Sequence, residues 1–119
     1  MTPEITAALE SDRTIDITTT GRKSGEPRRL EIWFHNVDGR IFITGMPGRR
    51  SWYANLLATP EFTFHLKESV QADLSAIGTA ITEPAEKRAV FELLLDRLGY
   101  ADRIETWVAD SPLIEVTFA

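Results

Sequence analysis

Stretches in which apolar and polar residues alternate recur along this chain, and they restrict it to strands that each bury one face against a common core. In the threonine-rich run Thr14 to Thr20, Ile15 and Ile17 alternate with Asp16 and Thr18. Leu30, Ile32 and Phe34 alternate with Glu31, Trp33 and His35, and Phe62, Phe64 and Leu66 with Thr63, His65 and Lys67. In the run Leu113 to Phe118, the residues Ile114, Val116 and Phe118 share a face. A period of two puts every second side chain on one side of a sheet, which no helix can do. Asn36-Val37-Asp38-Gly39 carries an Asp-Gly pair suited to a tight turn, so the segment Arg40 to Thr44 reads as the returning strand of a hairpin. A further strand is expected from about Val70 to Ile81, with Ala72, Leu74 and Ala76 facing one way and Gly78 marking a bulge.

Helical signals are fewer. Ser51 to Ala58 reads as a short helix that Ser51 caps and that ends ahead of Pro60. Pro84 to Leu98 is the clearest helix: Thr82 is placed to cap it, Glu83 and Glu86 fall in the first turn, Arg97 in the last, and Gly99 stops it. Phe91, Leu94, Leu95 and Leu98 form its apolar stripe, and the stretch after Tyr100 that contains Trp107 reads as a polar connection. The expectation is an α+β fold, one domain over residues 1–119, built on a small antiparallel barrel of about six strands with one long late helix. Residues 1–13 form a lead-in that can be flexible, with a short helix in its first dozen residues.

Charge and composition exclude several classes. With 18 acidic against 13 basic residues the net charge is −5, which argues against the extended basic surface of a nucleic-acid binder. No run approaches the ~20 apolar residues that span a bilayer, and the first dozen residues lack the pattern of a secretory signal, so a cytoplasmic location is expected. The chain has no cysteine, which removes disulfides, thiolate metal ligands and cysteine nucleophiles.

Against that acidic background two turns stand out. Gly21-Arg22-Lys23-Ser24-Gly25-Glu26-Pro27-Arg28-Arg29 gathers cations and a hydroxyl between glycines that can turn backbone N–H groups toward one point. This is either an anion site or a solvated hairpin, and it lacks the spacing of a nucleotide-triphosphate loop. Gly45-Met46-Pro47-Gly48-Arg49-Arg50 brings two more arginines to the start of the Ser51 helix, where free N–H groups favour negative charge. Each loop follows a strand, so one rim of a barrel can bring them together. Trp52 and Tyr53 can stack on a planar ring or pack in the core. His35 and His65 lack a third histidine or a placed carboxylate for a metal, and read as surface or interface residues. No catalytic residue is assigned, because no nucleophile motif or facing carboxylate pair is present. Anion-binding loops and aromatics without reactive side chains fit chemistry carried by a bound cofactor.

Thr19-Thr20-Gly21-Arg22-Lys23-Ser24-Gly25-Glu26-Pro27-Arg28 and Trp52-Tyr53-Ala54-Asn55-Leu56-Leu57-Ala58-Thr59-Pro60, in this order and spacing, resemble two signature blocks of the deazaflavin-dependent nitroreductase family. That family is a branch of the flavin and deazaflavin oxidoreductases with the split β-barrel fold, and the likeness runs from about Ile15 to Phe118. The resemblance implies coenzyme F420 as cofactor, with Arg22, Lys23, Ser24, Gly25 and Arg28 near its phosphate and acidic tail. Met46, Pro47, Gly48, Arg49 and Trp52 would lie along the ring and linker, and Tyr100 and Trp107 would border the substrate pocket. It further implies hydride transfer to a quinone, nitroaromatic or activated alkene, and a homodimer; from the residues themselves no metal is expected. The chain departs from the nitroreductases in its compact Met46 to Arg50 loop and in lacking a tyrosine cluster near position 100, which leaves the acceptor open. FMN in the same fold, and a non-catalytic carrier of a cofactor or an apolar ligand, are the alternatives.

Overall fold

A computed structural model describes residues 1–119. Its strands are β1 (Thr14–Thr20), β2 (Pro27–Val37), β3 (Arg40–Thr44), β4 (Glu61–Leu66), β5 (Ala72–Ala80) and β6 (Leu113–Phe118). They close into an antiparallel barrel in the order β1-β2-β3-β6-β5-β4, with β4 returning to β1. Four α-helices accompany them: α1 (Pro3–Ser11), α2 (Ser51–Ala58), α3 (Pro84–Leu98) and α4 (Ile104–Asp110). The β2–β3 hairpin turns on Asp38 and Gly39, both at positive φ, and Asn36 Oδ1 accepts from the Gly39 N–H at 2.8 Å. This is the turn that an Asp-Gly pair favours.

The alternating residues meet inside the barrel. Ile15, Ile17, Phe34, Ile41, Ile43, Phe64 and Ile114 pack there, and the ends are closed by Ala8 and Leu9 from α1 and by Trp52 and Leu56 from α2. α2 seals the rim formed by the end of β1 and the end of β5. Gly78 belongs to this plug and makes no bulge, since the register runs without a break through Ala76, Ile77 and Gly78. A Cβ at Gly78 would lie 3.1 Å from Ile114 Cγ2 and 3.5 Å from Leu56 Cδ1, so the glycine provides room for the helix.

A second apolar layer coats the outside of β2, β3 and β6, where Val37, Phe42 and Leu113 meet Val90, Phe91, Leu94, Leu95 and Trp107. β3 is therefore buried on both faces, which explains its unbroken Ile41-Phe42-Ile43. The segment after Tyr100 is not a plain connection: a 3₁₀ turn, Ala101–Arg103, leads into α4, which turns Trp107 inward. The cap of α3 also differs from expectation. Glu83 occupies it in place of Thr82, its carboxylate accepting the N–H groups of Ala85 and Glu86 at 3.1 and 2.7 Å. Gly99 ends the helix in the left-handed conformation, with φ 80°.

The outer wall of β1, β4 and β5 carries polar chains. Asp16 accepts from Lys67 at 2.7 Å and from Arg29 at 3.0 Å, and these charges hold its carboxyl below the usual range. His65, expected at the surface, is only 6% exposed. It lies on β4 between β1 and β5, its Nδ1 donating to Asp73 Oδ1 and its Nε2 paired with Thr18 Oγ1, both at 2.7 Å. Its partners come from the flanking strands, Thr18 from β1 and Asp73 from β5.

His35 is half-buried on the outward face of β2. Burial, then the positive charges of Arg13 and Arg97, push its pKa down to about 4. The unfolded chain takes up this proton near pH 6.5, so stability is lost as pH falls from about 6.5 toward about 4 and is unaffected above that window. The full shift implies about 3 kcal/mol, and partial solvent contact reduces the expected loss to about 2 kcal/mol. Urea unfolding across this range should show His35→Phe losing less stability on acidification than the parent, with the two profiles parallel above pH 7. Equal acid limbs would contradict the assignment.

Candidate functional site

The turn between β1 and β2 is built on backbone bonds. Gly21 N–H donates to Glu26 O and Gly25 N–H to Gly21 O, both at 2.8 Å, and Gly25 takes φ 71°. Ser24 Oγ accepts from the Glu26 N–H at 3.1 Å. A Cβ at Gly21 would lie 2.7 Å from Ser24 Oγ and 3.2 Å from Glu26 O, so a side chain there would displace the Ser24 hydroxyl from the Glu26 N–H.

What fixes this turn in space is Asn55, on the inner face of α2 and 4% exposed. Its Oδ1 accepts from the Arg22 backbone N–H at 3.1 Å and from Arg22 Nη1 at 3.0 Å, while its Nδ2 donates to Thr19 Oγ1 at 3.3 Å. One amide thereby ties the helix that plugs the barrel to the hairpin turn that carries the cations. Between turn and helix lies an open cleft of about 550 Å³, bordered by Arg22, Lys23, Ser24, Arg28, Ser51, Trp52 and Asn55. Trp52 both packs in the barrel core and lines this cleft, so the two readings of its sequence position are compatible.

The loop between β3 and α2 is stapled by Arg50. Its Nη2 donates to Met46 O and its Nη1 to Arg49 O, both at 2.9 Å. A Cβ at Gly48, where φ is 133°, would lie 3.0 Å from Arg50 Nη1, so the wrapped guanidinium needs the glycine. Gly48 N–H reaches Asp110 O at 3.1 Å and moors the loop to the end of α4. Arg50, not Ser51, is the N-cap of α2, and no side chain caps it, so the Ser51 hydroxyl is left to face the clefts. Arg22 and Arg49 border one groove of about 320 Å³ at the start of α2. Beyond it, Arg49 and Tyr53 continue into a second cleft of about 560 Å³ whose other walls include Pro47, Gly48, Lys87 and Ser111.

Of the 13 lysines and arginines, nine lack a carboxylate within 4.0 Å; Arg13, Arg97 and Arg103 lie elsewhere and the other six share this region. All ion pairs of the molecule involve Arg29, Arg40, His65, Lys67 or Arg88, outside this region or at its edge. Arg22, Lys23, Arg28, Arg49, Arg50 and Lys87 have no carboxylate within 4.0 Å, although acidic residues outnumber basic ones. Such a run of uncompensated cations along connected clefts draws anions and adds little to folding. Burial pushes the Lys87 ammonium pKa down, with Asp110 acting in the opposite sense.

The residues singled out from sequence are not all in one place. Arg22, Lys23, Ser24, Arg28 and Trp52 share the first cleft, while Pro47, Gly48 and Arg49 border the second. Gly25 faces a groove on the outer wall beside Thr18, Thr19 and Thr20. Met46 is exposed and contributes its carbonyl to the Arg50 staple. Tyr100 and Trp107 stack on each other with ring centres 6.1 Å apart, in the layer of α3 and α4, and border neither cleft. Trp107 is buried against Phe91 at 5.7 Å because α4 turns it toward the outer core. Asn55, Lys87 and Ser111 had no assigned role. A buried amide in an otherwise apolar helix face was a legible signal for Asn55, but nothing local marked the other two.

A family model described as F420H(2)-dependent quinone reductase matches residues 2–108. Among solved structures, a conserved hypothetical protein, Rv2991, from Mycobacterium tuberculosis superposes with a TM-score of 0.73 at 18% identity, covering 99% of this chain and 81% of its own. An F420-H2 dependent reductase, FDR-A, gives 0.64 at 20% identity over 89% of this chain and 95% of its own. A FAD-binding protein from Mesorhizobium loti gives 0.70 at 15% identity over 100% and 91%. These structural likenesses establish the split-barrel fold.

Proposed function

The chain belongs to the F420H(2)-dependent quinone reductase family, and from that membership we propose that it uses reduced coenzyme F420 to reduce an electron-poor organic acceptor, a quinone, nitroaromatic or activated alkene. The observation that carries this reading is the row of unpaired cations from Lys23 and Arg22 to Arg49. The cofactor's phosphate and carboxylate tail suits that row, since each cation can form a charge-assisted hydrogen bond without first losing a partner. When bound, the deazaflavin supplies the hydride, and the chain supplies position.

In this reading Arg22, Lys23, Ser24 and Arg28 hold the anionic end in the first cleft. Trp52 walls the same cleft and orients the ring, while the Arg50 staple keeps Pro47, Gly48 and Arg49 in a fixed loop beside it. The same reading treats residues 1–119 as one domain, supported by the burial of Ala8 and Leu9 from α1 in the barrel core. No helix is long and apolar enough to cross a membrane.

Titrating the purified protein with F420 and with FMN while following tryptophan fluorescence tests the proposal. F420 is expected to quench Trp52 and to bind more tightly than FMN, because FMN presents one phosphate to a row of cations, and its affinity should fall as salt rises. No response to F420 at tens of micromolar would sink it. If F420 binds and its reduced form is never oxidised by a panel of quinones, nitroaromatics and enones, the protein is a carrier.

A further inference from the structure

We propose that the second cleft is the acceptor site, and that Lys87 and Ser111 bind an anionic oxygen on the acceptor, which is therefore a planar electron-poor compound bearing a carboxylate. This rests on the cofactor assignment above, which places the reacting ring on the Trp52 side of Arg49 and Tyr53. Those two residues border both the groove that leads from the first cleft and the second cleft itself. A molecule seated in the second cleft is thus the direct neighbour of one held in the first.

Three observations define what the cleft takes. Ser111 is 2% exposed and lines the cleft, yet its Oγ is the one buried side-chain polar atom without a hydrogen-bond partner. A buried hydroxyl left unpaired is destabilising, so a ligand that accepts from it recovers that cost. Lys87 extends from α3 to the same cleft without any carboxylate within 4.0 Å. Its ammonium is partly desolvated, which strengthens its preference for an anion over water. Asp110, next to Ser111 and close enough to act on the Lys87 ammonium, weakens the pull of this corner on an anion, and Arg49, which also lines the cleft, adds to that pull, so the unpaired Ser111 hydroxyl is what directs the negative group to Lys87. Pro47, Tyr53 and Pro112 line the cleft beside Gly48, Arg49 and Ala109 and offer ring surfaces to a planar ligand.

The probes are 2-naphthoate and its neutral counterpart 2-naphthamide, titrated by calorimetry into the protein with and without oxidised F420. Naphthoate is expected to bind at least about tenfold more tightly than the amide, the worth of one charge-assisted hydrogen bond in a partly desolvated site. Lys87→Met should erase that preference, Lys87→Arg should keep most of it, and Ser111→Ala should reduce naphthoate affinity about threefold. F420 affinity should stay within about twofold in all three, because none of them touches the first cleft. In turnover, 2-carboxy-1,4-naphthoquinone should have a lower KM than 2-methyl-1,4-naphthoquinone, and Lys87→Met should raise only the former. Equal affinity for the two naphthyl probes, a preference that survives Lys87→Met, or a naphthoate affinity unchanged by Ser111→Ala overturns the assignment. So does a loss of F420 affinity in proportion, which would make the second cleft part of the cofactor cradle. Failure of F420 itself to bind would refute the cofactor reading, and the arm without F420 would still decide whether this corner selects an anion.

Discussion

The double variant R22A/K23A is expected to bind F420 about 100-fold more weakly than the parent while its Tm falls by no more than about 3 °C. Two charge-assisted hydrogen bonds to phosphate or carboxylate oxygens are worth about 1.5–3 kcal/mol each, and incomplete desolvation in an open cleft brings the sum to near 3 kcal/mol. The fold is spared for a structural reason. Arg22 meets Asn55 twice, and the bond from its backbone N–H at 3.1 Å survives truncation of the side chain, so the turn stays docked on α2. Lys23 is exposed and has no acidic partner to strand. Fluorescence titration with F420 and a thermal melt on the same preparations measure both quantities. Parallel losses of binding and stability would show that the cations serve the fold and not the cofactor.

Asn55→Leu should reverse that ratio. Leucine has the branching of the amide but offers neither acceptor nor donor, which leaves the Arg22 N–H without its acceptor and the buried Thr19 hydroxyl without its donor. The expected cost is about 3 kcal/mol, or a fall in Tm of roughly 10 °C, because two polar groups are stranded at the helix–barrel junction. F420 binding should fall with it, since a freed turn must be re-ordered at the moment of binding. Asn55→Asp separates the two roles: it keeps the acceptor, so the fold should hold, while its negative charge weakens the attraction of the cleft for the cofactor's tail. If Asn55→Leu melts like the parent, the turn is held by something other than this amide.

Much of the fold was open to reading because most strands bury a single face. β1 alternates throughout, β2 and β4 alternate in sequence over Leu30 to His35 and Glu61 to Leu66, and β6 was recognised from its inward residues Ile114, Val116 and Phe118. Where a residue is buried by neighbours that arrive from elsewhere, local pattern is silent. His65 alternates like a surface residue and is enclosed by Thr18 and Asp73 from the adjoining strands. Trp107 sits in a polar-looking stretch and is buried because α3 lies against α4. Gly78 signals irregularity in a strand, and its reason, the approach of Leu56, is tertiary. The candidate site divides the same way. Glycines and cations announced both loops, and their position at the ends of β1 and β3 justified joining them at one rim. Lys87 and Ser111 come to the second cleft from α3 and the entry to β6, an encounter decided by how the chain packs.

Closure of the sheet has a consequence for handling the protein. Every strand is paired on both sides over part of its length, β4 with β1 included, and the stretch of β2 paired only with β1, Pro27 to Trp33, carries Arg28, Arg29 and Glu31, charges that discourage another chain from adding there. The run Ile41-Phe42-Ile43-Thr44 combines strong β-propensity with no charge and no proline, the profile of an aggregating segment, and it is locked between β2 and β6 with both faces covered. It is released only when the barrel opens. Resistance to aggregation should therefore follow global stability across variants, largely independent of changes in surface charge, and a destabilised variant such as Asn55→Leu should precipitate at temperatures where R22A/K23A stays clear.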